Sequence, residues 1–247
     1  QPYHIADRQL TITTSIGITM YPSDNSDTQM LLKNADIAMY QAKEYGRNNF
    51  KFFHEQMHAD LMEYHELERD IRDALHQGQF HLAYQPKVNI RINQLQGLEA
   101  LLRWNSPTRG NVSPGNFIPV AEESGHIIPL GYWVLNEVCL TLRSWQDKGL
   151  TLVPVSVNVS ARQFQQPDFH KRVAEVLRKH SIDPSLIEIE LTEGLVMEDI
   201  DSAQRELAQL KKIGLRISID DFGTGYSCLS YLRRFPIDVL KIDKSFV

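Results

Sequence analysis

Short stretches of alternating hydrophobic and polar residues recur along the chain, and each of them predicts a β-strand. The predicted strands cover residues 80–88, 96–104, 152–160, 186–192, 215–221 and 237–243. Apolar residues at helical spacing lie between several of these strands, as at 168–180 and 202–213. Strands that alternate with helices are typical of a parallel sheet, which is either open or closed into a barrel.

The two faces of the later predicted strands differ in polarity. Side chains alternate between the faces of a strand, so polar residues two positions apart share one face. The polar residues that share a face in this way are Glu99 and Arg103, Ser156 and Asn158, Glu188 and Glu190, Ser218 and Asp220, and Lys241 and Asp243. An open sheet covered by helices on both sides needs two apolar faces, whereas a barrel points one face at its interior. The pattern therefore favours a barrel over an open sheet.

Most of these polar residues lie late in their strands, where a barrel holds its active site. If the strand ends converge, four carboxylates and one amide oxygen meet there, from Glu99, Asn158, Glu190, Asp220 and Asp221. Carboxylates at such short range repel one another unless a cation lies between them, and oxygen ligands select Mg²⁺ or Mn²⁺ over zinc. Two such ions can activate a water for attack at phosphorus, with Lys241 facing the same mouth. The sequence therefore predicts a metal-dependent phosphoryl-transfer site.

The first part of the chain predicts a smaller unit. A β-rich stretch starts at Leu10, helical spacing runs over 30–45, and a short strand follows at 49–53. So few elements bury too little apolar surface to be stable alone, and we expect them to belong to something larger. A charged, amphipathic stretch from about residue 55 to residue 76 then predicts a connecting helix. The predicted division is 1–54, 55–76 and 77–247.

Composition narrows the choice of function. The 247 residues carry a formal net charge of -5, which argues against a partner that is a nucleic-acid polymer. The two cysteines, Cys139 and Cys228, are far apart and lack metal-type spacing, so they indicate neither a disulfide framework nor a thiolate zinc site and favour a reducing, cytoplasmic setting. No apolar run is long enough to cross a membrane, so we expect no membrane contact from this segment. A longer parent protein could still be anchored to the inner membrane.

Several segments of the chain form a recognisable set: AYQPKV (83–88), GLEALLRW (97–104), the F-I-P-x-A-E-x-S-G-x-I stretch (117–127), VNVSARQF (157–164), ELTE (190–193), DDFGTGYSCLSYL (220–232) and LKIDKSFV (240–247). Together they resemble the EAL family of cyclic di-GMP phosphodiesterases. They follow the family's order over about residues 65–247. The resemblance implies an α/β fold, a TIM-like (β/α) barrel usually with one reversed strand. It also implies hydrolysis of cyclic di-GMP to linear pGpG with two Mg²⁺ or Mn²⁺ ions.

The resemblance also assigns roles by position. The implied metal ligands are Glu99, Asn158, Glu190, Asp220 and Asp221. Lys241 matches the residue that helps to hold the attacking water, and Glu193 matches the glutamate that holds the loop after Asp221. The implied substrate contacts are Gln85, Arg103 and Asp243. The loop at 222–232 lies where family members couple dimerisation to activity, so we expect a homodimer through this region.

The beginning of the chain contains a second set of segments: SIGITMYP (15–22), ADIAMYQAK (35–43) and GRN (46–48). They resemble the C-terminal part of a GGDEF, or diguanylate cyclase-like, domain. In intact members, the residues that match Lys43 and Arg47 lie near nucleotide phosphates. The GGDEF signature itself does not occur in this sequence, so we expect no cyclase activity from it.

Three alternatives compete with a phosphodiesterase. His54, Glu55 and His58 match H-E-x-x-H, a zinc-binding pattern on a helix, but no third ligand follows and a solvated linker helix explains the segment better. A receptor that binds cyclic di-GMP without cleaving it usually lacks metal ligands, and none of the ligands visible in this sequence is lost. A different metal-dependent barrel enzyme, such as a lyase, has no separate signature in the sequence.

The strand count gives a last expectation. We count six barrel strands, ending in VLKIDKSFV, whereas the family's barrel has eight. The missing seventh and eighth strands of the family supply a further glutamate to the metal site and a glutamine near the guanine. We therefore expect the chain to be part of a longer protein, truncated after the sixth strand. Made alone, it should be poorly soluble or associate through its last strand, bind metal weakly and hydrolyse cyclic di-GMP slowly.

Overall fold

A computed structural model describes residues 3–5, 8–10, 12–44, 46, 48–223 and 234–246. The chain divides into two compact units, residues 1–69 and 70–247, which are described separately below. None of the helices among the described residues combines the length and the apolar character needed to cross a lipid bilayer.

The first unit holds two small sheets and a helix. In chain order its elements are β1 (Tyr3–Ile5), β2 (Arg8–Leu10), β3 (Ile16–Ile18), α1 (Thr28–Glu44), β4 (Phe50–Phe52) and the start of α2 (Gln56–Gln77). Strands β1 and β2 pair antiparallel, and β3 pairs parallel with β4. The stretch predicted as one strand from Leu10 is therefore divided between the end of β2 and the separate strand β3. A small apolar core joins α1 to the start of α2 through Ile37, Ala38, Phe53 and Met57.

The second unit is built on one curved sheet. Its strands are β5 (Phe80–Asn89), β6 (Gln94–Ser106), β7 (Gly110–Val112), β8 (Val155–Asn158), β9 (Ile187–Thr192), β10 (Arg216–Phe222) and β11 (Val239–Ile242). The strand order is β5-β6-β8-β9-β10-β11, with β7 paired to β6. Strand β5 runs antiparallel to β6, whereas β6, β8, β9, β10 and β11 are parallel in turn. The reversed strand expected of an EAL-type barrel is therefore β5.

Helices cover the outer face of this sheet. They are α3 (Pro114–Ser124), α4 (Ile127–Asp147), α5 (Ala161–Phe164), α6 (Phe169–His180), α7 (Glu193–Glu198) and α8 (Ile200–Ile213), with short 3₁₀ turns at Pro184–Leu186 and Lys244–Phe246. A hydrogen bond connects α6 to α8, because the backbone amide of His170 donates to the Glu206 carboxylate at 2.8 Å. Gly214 ends α8 in the left-handed region, at a φ of 105°, which a residue with a side chain rarely adopts.

The polarity pattern predicted for the strands is present in the fold. On β9, Ile187, Ile189 and Leu191 are buried in the core that packs against the helices. Glu188 and Glu190 point to the other side of the same strand, and they are 5% and 1% exposed. A carboxylate buried this deeply is costly unless cations or hydrogen-bond donors surround it. The interior of the barrel must therefore supply such groups.

Candidate active site at the barrel mouth

Three carboxylates converge at the carboxyl ends of the strands. Glu99 on β6, Glu190 on β9 and Asp220 on β10 each offer an oxygen, and these oxygens lie within 4.8 Å of one another. The parallel register brings them together, because Glu190 pairs with Ser218, two residues before Asp220. Hard divalent cations such as Mg²⁺ and Mn²⁺ favour oxygen ligands in this kind of arrangement. The donor set therefore fits the metal predicted from the sequence.

Lys241 lies among these three carboxylates. Its Nζ is 2.7 Å from Asp220 Oδ2, 3.1 Å from Glu190 Oε2 and 3.3 Å from Glu99 Oε2. Burial alone would lower the pKa of Lys241, but the hydrogen bond to Asp220 and the charges of Glu190 and Glu99 outweigh it and raise the pKa. The lysine is therefore held as an ammonium. One ammonium against three carboxylates leaves an acid excess that suits a divalent cation.

The other two predicted metal ligands lie beside this group. Asn158 ends β8, and its Nδ2 donates to Glu99 Oε1 at 3.0 Å. Asp221 is exposed, with a φ of 52°, and its backbone amide donates to Asp220 Oδ1 at 3.0 Å. Desolvation, followed by the charges of Asp220 and Asp243, raises the pKa of Asp221. The structure thus brings oxygens of three predicted ligands within 4.8 Å of one another and places these two residues next to them.

Glu193 connects the start of α7 to the loop that follows Asp221. It is 2% exposed, and its Oε2 accepts a hydrogen bond from the Gly223 amide at 2.9 Å. Gly223 has a φ of 103°, and a Cβ there would lie 2.7 Å from Phe246 Cε2. Only glycine suits this position. Most of the predicted dimer loop, including Cys228, lies within residues 224–233, outside the described residues.

Two of the three predicted substrate contacts, Gln85 and Arg103, line cavities. Gln85 pairs with Glu99 across the β5–β6 ladder and, with Lys241, lines a cavity of about 300 Å³. Arg103 lines a second cavity of about 510 Å³ that also reaches Glu190. Asp243 follows β11, where a hydrogen bond from the Ser245 hydroxyl and a second one from the Ser245 amide, at 2.9 Å, lower the pKa of Asp243.

A second layer of charge lies beneath the mouth; the strand pattern placed Ser156 and Glu188 on the polar face but did not identify the cations Lys87 and Arg216 that contact Glu188. Lys87, on β5, donates to Ser156 Oγ, to Glu188 Oε1 at 3.1 Å and to Glu190 Oε1 at 2.5 Å. Arg216 Nε lies 3.3 Å from Glu188 Oε2. Burial raises the pKa of Glu188, but the Ser156 hydrogen bond, Lys87 and Arg216 outweigh burial and lower it. The alternation of side chains along a strand could have indicated Lys87, because it is two residues from Gln85 on the same strand and therefore shares its face.

The zinc-binding alternative is not supported by the fold. Helix α2 begins at Gln56, so His54 precedes it and the two histidines of the pattern are not on one helix. His58 Nε2 instead lies 3.1 Å from Asn34 Oδ1. Of the two residues matched to nucleotide contacts in the first unit, Lys43 lies in the last turn of α1, and Arg47 lies outside the described residues.

Comparison with known families agrees with this geometry. The family described as "EAL domain" matches residues 68–247. The chain belongs to the EAL domain family. The family described as "Diguanylate cyclase, GGDEF domain" matches residues 1–49, the part of the chain that precedes the EAL barrel.

Relatives with curated names agree in both parts of the chain. The bifunctional diguanylate cyclase/cyclic di-GMP phosphodiesterase MucR of Pseudomonas aeruginosa is 45% identical over 247 residues, which is 100% of this chain and 36% of MucR. The cyclic di-GMP phosphodiesterase PdeR of Escherichia coli is 41% identical over 246 residues, which is 100% of this chain and 37% of PdeR. The chain thus spans little more than a third of the length of these relatives.

Solved structures give the same fold. A structure titled "PaMucR Phosphodiesterase, c-di-GMP complex" superposes with a TM-score of 0.71 at 45% identity, over 73% of each chain. The cAMP and cyclic-di-GMP bound form of the EAL enzyme Bd1971 superposes with a TM-score of 0.69 at 40% identity, over 76% of this chain and 52% of the other. The predicted EAL-type barrel is confirmed by these superpositions.

Proposed function

We propose that this EAL domain hydrolyses cyclic di-GMP to linear pGpG with two Mg²⁺ or Mn²⁺ ions. The observation that carries the proposal is the convergence of Glu99, Glu190 and Asp220 within 4.8 Å around the Lys241 ammonium. MucR and PdeR, which share this part of the chain, are named as phosphodiesterases for this nucleotide. In the reaction, water adds to one phosphorus and the bond from that phosphorus to a 3′ oxygen breaks, which leaves a 5′-phosphate on a linear dinucleotide.

The acidic residues of the mouth would hold the ions. Glu99, Glu190 and Asp220 form the centre of the donor set, with Asn158 and Asp221 beside them. When bound, such ions make a water nucleophilic at neutral pH and stabilise charge on the phosphate oxygens. Glu193 would keep the loop after Asp221 in place through its hydrogen bond to the Gly223 amide.

Lys241 would orient the attacking water rather than deprotonate it. Its pKa is raised by the surrounding carboxylates, so it carries a proton throughout the neutral range. An ammonium can donate hydrogen bonds to the water and to a phosphate oxygen, but it cannot accept a proton. Arg103 would bind a phosphate with its forked donors, and Gln85 and Asp243 would contact other parts of the nucleotide.

Direct analysis of products tests the proposal. The protein is incubated with cyclic di-GMP and Mn²⁺, and cyclic and linear nucleotides are then separated by chromatography. Accumulation of pGpG that stops on addition of a chelator supports the proposal. Binding of cyclic di-GMP without any linear product would make the domain a receptor, and neither binding nor cleavage would point to a different barrel enzyme.

Two further proposals concern the setting of the reaction. We propose a homodimer formed through the 222–232 region, which light scattering of the purified protein tests. A monomer at working concentration would contradict this. We also propose a cytoplasmic location for the domain, because its substrate is a cytoplasmic nucleotide second messenger.

A further inference from the structure

We propose that Lys87 is a positioning residue for the metal centre, because its ammonium fixes one oxygen of Glu190 so that the other faces Glu99 and Asp220. The inference rests on the proposed metal-dependent function but concerns a residue to which that function gives no role. It follows from the contacts that Lys87 makes inside the barrel.

The reach of Lys87 is unusual for a strand residue. In the sheet, β6 and β8 separate β5 from β9, yet the Lys87 ammonium contacts Ser156 on β8 and both Glu188 and Glu190 on β9. Its partner across the β5–β6 ladder is Gly97, which has no side chain. The lysine stem therefore crosses the interior beside Gly97, where a Cβ would lie 3.9 Å from Lys87 Cδ.

The two oxygens of Glu190 have different partners. Oε1 accepts from Lys87 at 2.5 Å, and Oε2 accepts from Lys241 at 3.1 Å. Lys241 is the ammonium that also contacts Glu99 and Asp220, so Oε2 is the oxygen that faces the other candidate metal ligands. Glu190 is 1% exposed, and a buried carboxylate with each oxygen bonded to a different cation is held in one orientation.

Lys87 is itself held from below. Glu188 Oε1 accepts from Lys87 at 3.1 Å and from Ser156 Oγ at 2.8 Å, while Glu188 Oε2 faces Arg216 Nε at 3.3 Å. A chain of alternating charge therefore runs from Arg216 through Glu188 and Lys87 to Glu190. Groups that orient metal ligands from behind in this way commonly change metal affinity about 10–100-fold when they are removed.

Two different roles of Lys87 predict opposite changes in metal affinity when the lysine is removed, which makes the inference testable. A lysine that is only a nearby positive charge repels a divalent cation, so its removal should tighten metal binding. A lysine that orients Glu190 should, when removed, weaken metal binding in spite of the lost repulsion. Direct measurement of metal affinity separates the two roles without any need for catalysis.

The experiment is a titration of the purified protein with Mn²⁺, in which electron paramagnetic resonance measures the concentration of the free ion. For Lys87→Met we expect affinity to fall by about 10–100-fold. Lys171→Met is the matched control, because it removes the same charge from an exposed lysine that pairs with Asp168. It should bind Mn²⁺ like the unchanged protein. Lys87→Arg keeps a donor for Glu190 and should recover most of the lost affinity.

Kinetics supply a second readout. Lys87→Met should lower kcat at limiting Mn²⁺ and leave KM for cyclic di-GMP unchanged, since Lys87 is assigned no substrate contact. Mn²⁺ affinity equal to or tighter than that of the unchanged protein would overturn the inference. If Lys87→Met does not fold by circular dichroism, Lys87→Gln replaces it under the same expectations. If the unchanged protein binds Mn²⁺ but cleaves no cyclic di-GMP, the proposed function fails and the affinities still decide the role of Lys87.

Discussion

Two buried glutamates on one strand of this barrel have different charged surroundings. Glu188 and Glu190 lie two residues apart on β9, face the same side and are 5% and 1% exposed. Glu188 meets Lys87, Arg216 and the Ser156 hydroxyl, so its charge is offset by two cations. Glu190 shares Lys87 with Glu188 and Lys241 with Glu99 and Asp220, so acid is in excess around it.

The difference separates a lower layer, in which Glu188 is offset by Lys87 and Arg216, from an upper layer of Glu99, Glu190, Asp220 and Lys241, to which we assign the proposed metal site. In the lower layer each charge has its complement inside the protein, and nothing further is needed to stabilise it. In the upper layer the protein leaves negative charge uncompensated, which costs stability and creates a site for a cation. Removing an acid should therefore have opposite consequences in the two layers.

The largest effect is expected for Asp220→Ala, in the upper layer. Turnover of cyclic di-GMP should fall by about 10²–10³-fold or more, because a central ligand of the ions is lost. Stability in urea should stay the same or rise, since one of three crowded carboxylates is gone. Asp201→Ala, which removes an exposed acid paired with Arg234, is the control. Full activity of Asp220→Ala would disprove the assignment of the site.

The sequence predicted the upper layer better than the lower one. The alternation of side chains along a strand identified Glu99, Glu190, Asp220 and Lys241, because it tells which residues of a strand share a face. It does not tell how far a long side chain reaches. Lys87 crosses beneath two neighbouring strands to contact Glu190, and such a contact depends on the curvature of the sheet.

The boundaries of the strands were also only partly predictable from the sequence. The strand predicted at 186–192 is found at Ile187–Thr192, whereas the strand predicted at 152–160 is reduced to Val155–Asn158. Pro154 has no amide hydrogen for the ladder, which explains why the pairing begins only after it. The three-residue strand β7 was missed, because it is too short to show an alternating pattern.

A smaller effect than that of Asp220→Ala is expected when cations of the site are removed. Lys241→Ala should lower kcat by about 10²-fold, because a donor to the attacking water is lost. Arg103→Ala should instead raise KM about tenfold, the cost of one charge-assisted contact to a phosphate. Steady-state kinetics at saturating Mn²⁺ measure both. The reverse pattern would show that the two roles are exchanged.

In the lower layer, Glu188→Gln should affect folding more than catalysis. Its loss deprives Lys87 and Arg216 of a carboxylate partner and should cost about 2 kcal/mol of unfolding free energy, less than for a fully buried ion pair because the Arg216 side chain is 42% exposed. Turnover at saturating Mn²⁺ should fall less than tenfold, because Lys87 keeps its bond to Glu190. Urea titration and product analysis test both parts. A variant that is fully stable but inactive would place Glu188 in the upper layer instead.

The smallest change in stability is expected when Asp238 is replaced, a carboxylate that is paired with a cation like Glu188 but lies nearer to solvent. Asp238, directly before β11, accepts from Lys211 Nζ on α8 at 2.8 Å and from the Ile217 amide on β10 at 2.8 Å. Burial raises the pKa of Asp238, but these hydrogen bonds outweigh burial and lower it below its ordinary value of 3.8. With a side chain 32% exposed, the pair should contribute only about 1 kcal/mol or less.

The sign of the pH dependence follows from that lowered pKa. A carboxylate with a lowered pKa in the folded state contributes its stability above the ordinary pKa and loses it as pH falls through the folded value. The difference in unfolding free energy between the unchanged protein and Asp238→Asn should therefore be constant near neutral pH and shrink below about pH 3.8. Urea titrations at several pH values measure it, with Asp201→Asn as the exposed control. A loss as large as that expected for Glu188→Gln would mean that pairing rather than burial sets the cost in both places.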